Sequence, residues 1–159
     1  MKNSNQIKIL FICHGNICRS PMAEFVMNSL IAKSGMSRQI IAHSAATSTE
    51  EIGNDIHRGT RSQLLSHNIP FRPRHARQVT QSDYHNYDYL IVMDDNNLRN
   101  LRRIIPNDPE NKIHKLLFFT ECQHDIADPW YTDDFDTTFS EIMNGCKALL
   151  QFIMHNCST

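Results

Sequence analysis

Cysteine is too sparse here for a disulfide scaffold: there are five in 159 residues, an odd number that would leave one thiol unpaired. An excess of one charge is also missing. Sixteen basic against seventeen acidic side chains leave a formal net charge of −1, without the basic surplus of a chain built to bind nucleic acid. The first apolar run ends at Cys13 and is too short to span a membrane. Ahead of it stands a polar start, Met1-Lys2-Asn3-Ser4-Asn5-Gln6, with no small-residue cleavage site. Internal repeats, low-complexity tracts and Gly/Ser linkers are lacking too. Together these absences predict a cytoplasmic, reduced protein with no nucleic-acid partner and no membrane insertion. The length predicts one domain over residues 1–159, and 40% apolar with 21% charged residues fits a compact fold. Histidine is the one excess: with nine of them, the charge turns positive as pH falls through about 6.5.

Ile7 to Cys13 (Ile-Lys-Ile-Leu-Phe-Ile-Cys) is β-branched, aromatic and nearly all apolar, the composition of a strand buried on both faces. Tyr87 to Met93 and Leu116 to Phe119 read the same way, and Gln39 to His43 is a weaker strand carried by Ile40 and Ile41. Helical patterns lie between them. Ser20-Pro21 predicts a helix start, Ser20 as N-cap and Pro21 at the first helical position, with Gly35 ending the helix. Further helices are predicted over Arg58 to Asn68 and Asn96 to Ile105. A last helix places Phe139, Ile142, Met143, Cys146, Leu149, Leu150, Ile153 and Met154 on one face. Buried strands alternating with helices predict an α/β fold: a three-layer sandwich, helices flanking a mainly four-stranded parallel sheet. Ligands of such sheets bind beyond the carboxyl ends of the strands, where Cys13 stands.

The turn after that strand reads Cys13-His14-Gly15-Asn16-Ile17-Cys18-Arg19-Ser20 and leads into a helix. A strand, a short loop and a helix N-terminus gather backbone N–H groups around an anion. Gly15 and Asn16 are residue types that accept positive φ, and Arg19 supplies a planar fork for two phosphate oxygens. The G-x-x-x-x-G-K-[ST] nucleotide loop is missing; a thiol stands at the edge of the cradle instead. Arg19 and the helix N-terminus both favour thiolate, and a thiolate facing a bound phosphate is a phosphoryl-transfer nucleophile. A cysteine at a strand end is more often a small buried hydrophobe, but here strand, Gly, Arg, Ser and helix fall in place together. Cys13, His14 and Cys18 lack a C-x2-C pair and a second ligand pair, so no metal site is expected.

The segment Cys13 to Glu24 closely resembles the N-terminal signature of the low-molecular-weight protein tyrosine phosphatases. The resemblance extends through Ser44-Ala45-Ala46-Thr47-Ser48-Thr49 with Ile52-Gly53, Asp88 to Asp94, and Asp128-Pro129-Trp130-Tyr131. It implies a Rossmann-like phosphatase fold, no cofactor, and cysteine-dependent, metal-independent hydrolysis of phosphotyrosine and small aryl phosphates through a phosphocysteine. It makes Cys13 the nucleophile, Arg19 the oxyanion holder and Asp128, which composition alone leaves as one acid of a solvated acidic loop, the general acid. Trp130 and Tyr131 would flank the pocket. Ser20 would meet the thiolate or cap the helix, Asn16 and Ser44 would brace the loop, and Asp94 would orient Arg19 or serve as a helix N-terminal acid. Phosphotyrosine proteins are the implied partners, a cognate tyrosine kinase is a candidate among them, and the oligomeric state is left open. Cys18 matches a family cysteine able to pair with the nucleophile, or packs the loop.

Three positions depart from the family pattern. Glu50 replaces an aromatic wall, which predicts a preference for phosphosites without acidic neighbours. His14 stands where the loop is usually small or aliphatic; its imidazolium would tighten phosphate binding at low pH or point to solvent, the second being expected. The family's loop-bracing His is one place off in Arg72-Pro73-Arg74-His75-Ala76-Arg77, leaving His75 as a support paired with Glu24. Arsenate reductases of similar fold need further redox cysteines, and none lies between Cys18 and Cys122. Arginine phosphatases of this family carry threonine in place of Ile17.

Overall fold

The computed structural model describes residues 6–157; the polar start Met1 to Asn5 and the last two residues of the expected 1–159 unit lie outside them. Four strands, β1 (Ile7–Cys13), β2 (Ile40–Ala46), β3 (Tyr89–Val92) and β4 (Ile113–Lys115), form one parallel sheet in the order β2-β1-β3-β4. Pleating explains why β1 is apolar throughout. Its alternate side chains Ile9, Phe11 and Cys13 enter one core while Leu10 and Ile12 enter the other. Each such aliphatic side chain, fully buried, contributes about 1.5–3 kcal/mol. The first core is closed by α1 (Arg19–Lys33), α2 (Arg58–Ser66) and α6 (Phe135–Cys157). The second is closed by α3 (Gln81–Asn86) and α4 (Asp95–Ile104) through Tyr84 and Leu101. The expected three-layer α/β arrangement is therefore what forms.

β1 appears with the expected bounds, and Gly35 follows α1 with φ +69°. Leu116 to Phe119 is not a strand but a one-turn 3-10 helix. Leu116 there drives into α6, where a Cβ on Gly145 would lie 2.5 Å from Leu116 Cγ. The fourth strand is instead the preceding, more polar Ile113–Lys115, an edge strand paired with β3. Met154 lies outside the buried stripe of α6, at 37% exposure. Among the described residues no helix is long and apolar enough to cross a membrane.

The sheet order determines where a site forms. β1 passes through α1 to β2 on one side, while β3 pairs with β1 on the other. Beyond the carboxyl ends of β1 and β3 the chain therefore parts in two directions, the crevice in which α/β sheets bind ligands.

Candidate active site

Cys13 is the last residue of β1 and is 3% exposed. Backbone bonds hold its surroundings to the end of β2: Thr47 N–H donates to Cys13 O at 2.9 Å and Ser48 N–H to His14 O at 3.0 Å. Asn16, fully buried with φ 58°, takes the left-handed turn that sends the loop back toward α1. Gly15 has no positive φ, contrary to expectation; its missing Cβ instead leaves room for Glu51, whose Cγ would lie 3.3 Å away. Ser20 is not an N-cap either, because α1 begins at Arg19 with Cys18 before it. The loop draws Ser20 inward. Its Oγ accepts from Asn16 Nδ2 at 2.7 Å and stands 3.1 Å from Cys13 Sγ, while its N–H points at the same sulfur from 3.4 Å. The first turn of α1 has no acidic residue and no side-chain cap, which leaves the positive end of its dipole facing the loop.

Arg19 joins three segments. Its Nη1 donates to Asp94 Oδ2 at 2.7 Å, beyond β3, and to Ile126 O at 2.7 Å; Nη2 lies 3.4 Å from Asp128 Oδ2. Its Nε is buried without a hydrogen-bond partner. Burial works against the guanidinium charge, but Cys13, Asp94 and Asp128 outweigh it and raise the pKa. Asp94 fills both roles foreseen for it, since its Oδ1 also accepts from Asn97 N–H at 2.7 Å and caps α4. Burial, reinforced by Cys13 and Asp128, pushes the Cys18 thiol up to about 12; Cys18 and Cys13 are both free thiols.

Asp128 caps a short helix, α5 (Pro129–Thr132), by accepting from Trp130 N–H at 3.0 Å. It faces Cys13 and Arg19 across a small pocket of about 100 Å³. His14, Gly15, Ile17 and Cys18 line this pocket from the phosphate loop. Glu50, Glu51, Trp130 and Tyr131 form its rim, the two aromatics 57% and 83% exposed. His14 does not point freely to solvent: its Nε2 meets Glu50 Oε2 at 2.9 Å, so both departures from the family pattern form one pair at the mouth.

Asn16 and Ser20 stand behind the pocket lining and support the loop without facing the cavity. Ser44 supports Glu24, donating to Oε1 at 2.5 Å, and is not bonded to the loop. His75 is exposed, donates from Nδ1 to Gly53 O at 2.9 Å and does not pair with Glu24. The brace on Asn16 is its neighbour Arg74, whose Nη2 donates to Asn16 Oδ1 at 2.5 Å, joined by Arg77 N–H at 3.3 Å. The Ala46–Gln78 bridge carries this segment along the end of β2. The brace is thus a guanidinium, one residue before the histidine that sequence reasoning chose. Glu51, beside the predicted Glu50, also lines the pocket, and His57 and Thr60, distant in sequence, bond the backbone of Ile17 and Cys18.

Comparison with known proteins bears on this geometry. The sequence model of the family described as low molecular weight phosphotyrosine protein phosphatase matches residues 8–158. The chain is 40% identical over 149 residues to low molecular weight protein-tyrosine-phosphatase YfkJ of Bacillus subtilis, covering 92% of this chain and 96% of that protein. It is 35% identical to PtpA of Staphylococcus haemolyticus, a protein of the same description, over 96% of this chain and 97% of the relative. The crystal structure of YfkJ superposes with a TM-score of 0.93, covering 97% and 98% of the two chains. A low molecular weight protein tyrosine phosphatase from Streptococcus pyogenes, 39% identical, superposes at 0.81, covering 92% of each.

Proposed function

The chain belongs to the low molecular weight phosphotyrosine protein phosphatase family, and on that premise we propose that it hydrolyses phosphotyrosine in proteins through a covalent phosphocysteine at Cys13. Small aryl phosphates would follow the same path. The observation that carries the reading is the convergence on one pocket of a thiol, a buried guanidinium with an unpartnered Nε, and a carboxylate.

The chemistry runs in two displacements. Cys13 Sγ, as thiolate, attacks phosphorus; an S–P bond forms as the bond to the phenolic oxygen breaks, and the Asp128 carboxyl donates its proton to that oxygen. Arg19 takes two equatorial oxygens on Nε and Nη2, Nη1 being held by Asp94 and Ile126. The Asp128 carboxylate then takes a proton from water, whose oxygen attacks phosphorus while the S–P bond breaks and returns the thiolate. Ser20 Oγ accepts from Asn16 and makes a long 3.4 Å bond to Ala45 O; turning that proton toward the sulfur 3.1 Å away would steady the leaving thiolate. The scheme requires no metal.

Phosphate release from a phosphotyrosine peptide in the presence of a chelator, with Cys13→Ser alongside, tests the reading. Turnover indifferent to chelator and abolished by the substitution is expected. Turnover retained by Cys13→Ser overturns the cysteine mechanism, and turnover of phosphoarginine without phosphotyrosine overturns the substrate.

A further inference from the structure

The geometry points to the first turn of α2, His57 to Thr60, as a positioning element that holds the Asp128 loop in register with the phosphate loop. The inference rests on Asp128 being the general acid. Residues 127–134 are exposed apart from Pro129 and half-buried Asp128, and they hang between two buried anchors, Ile126 and Phe135. The first anchor is tied to the site directly: Ile126 N–H donates to Met93 O at 3.0 Å and Ile126 O accepts from Arg19. The second needs its own tether, and α2 provides it.

The Phe135 ring lies against Gly59 so closely that a Cβ there would stand 2.5 Å from two ring atoms. Only a residue without a side chain admits the ring. The His57 imidazole stacks on Phe135 at 5.1 Å between centroids and 15° between planes, and meets Trp130 edge-on at 5.8 Å. Its orientation is fixed because Nδ1 accepts from Gly59 N–H at 3.0 Å, capping α2. The same turn also holds the phosphate loop from behind. His57 N–H donates to Ile17 O at 2.8 Å and Thr60 Oγ1 to Cys18 O at 3.1 Å. One turn further on, Gln63 Nε2 donates to Asp136 Oδ1 at 2.5 Å and reinforces the tie to the start of α6.

His57, Gly59 and Thr60 together therefore tie the phosphate loop to the end of the acid loop, His57 touching both, while standing outside the pocket lining. A general acid works only within hydrogen-bond reach of the leaving oxygen, about 2.6–3.2 Å, and a shift of about 1 Å costs on the order of 100-fold. A turn bonded to both loops is placed to prevent that shift.

The test measures kcat/KM for a series of aryl phosphates of rising leaving-group pKa, with the inhibition constant of inorganic phosphate as the readout of the phosphate loop. Asp128→Asn is the reference, expected to steepen the leaving-group dependence. Gly59→Ala, which displaces the Phe135 ring, is expected to steepen it in the same direction. Phenyl phosphate should fall about 10- to 100-fold and 4-nitrophenyl phosphate less than about threefold, with phosphate inhibition unchanged. Should Gly59→Ala not fold, Phe135→Leu decides, keeping an apolar anchor while removing the stacked ring. An equal loss on every substrate, or none on any, overturns the positioning role while Asp128 stands. A flat Asp128→Asn profile overturns the acid assignment and the positioning role with it.

Discussion

The two loops that meet at the pocket are held in opposite ways. The phosphate loop is buried from Asn16 to Ser20 and wired along that stretch. Asn16 is fully enclosed, Arg19 is 2% exposed, and Ser20 receives a bond from Asn16 while touching the sulfur. The acid loop is exposed along most of its length and held mainly at its ends, with Asp128 kept in place by a cap of its own α5 and a 3.4 Å approach to Arg19. The difference follows from the tasks. Charge accumulating on equatorial oxygens needs donors fixed before reaction, whereas a proton donor must let an aryl group enter and leave. Damage to the first loop should weaken all substrates alike, and damage to the second should scale with the leaving group.

The sharpest probe of the wired side is Arg74→Ala. Removing the donor leaves the buried Asn16 Oδ1 with only the long bond from Arg77 N–H, a loss of about 1–1.5 kcal/mol. Steady-state assays should show kcat/KM falling about 10-fold for all aryl phosphates together, with phosphate inhibition weakened to match and Arg74→His recovering part. A loss confined to poor leaving groups would break the comparison. A smaller effect is expected at the mouth. Glu50→Trp should raise kcat/KM for acidic phosphopeptides relative to basic ones by a few-fold, an effect that shrinks with added salt; an unchanged ranking would remove Glu50 from specificity.

The smallest effect concerns Glu24, behind the phosphate loop. Burial raises its pKa against the opposing bond from Ser44 and the fields of Arg74, Arg72 and Arg77. A carboxyl whose folded pKa exceeds its unfolded one adds stability fully present below the unfolded value and lost as pH rises through the folded one. The melting temperature of Glu24→Gln should therefore gain on the unsubstituted protein by a few degrees at most as pH rises above the ordinary carboxyl range of about 4. A difference independent of pH would show that the carboxyl does not titrate differently in the fold.

How much of this was legible depended on whether a feature was local. The apolar run of β1 and the Cys13–Ser20 loop carry their signal in adjacent residues, and both stand where expected. Leu116 to Phe119 misled because hydrophobicity marks burial and not extension; the turn is apolar through its seat on α6, while edge strand β4 is short and half polar. The capping signal Thr80-x-x-Asp83 is local as well: Asp83 accepts from Thr80 N–H at 2.8 Å and starts α3. Arg74 and His75 differ by one position, and the choice between them is made by the path of the chain along β2. The ties from Thr60 to Cys18, 42 residues apart, and from His57 to Ile17 join segments that no short window of sequence contains together.

The alternation in β1 bears on which insertions and deletions the gene can carry. Ile9, Phe11 and Cys13 share one face of the sheet, so the nucleophile's aim is a matter of parity. Losing one codon between Lys8 and Ile12, with the rest of the strand kept paired, inverts every side chain on one side of the gap relative to the other. Either the hydrophobic faces or the thiol must then turn the wrong way. Substitutions of one aliphatic residue for another in this strand leave parity intact. Sequence drift in β1 should accordingly be free in letter and frozen in length.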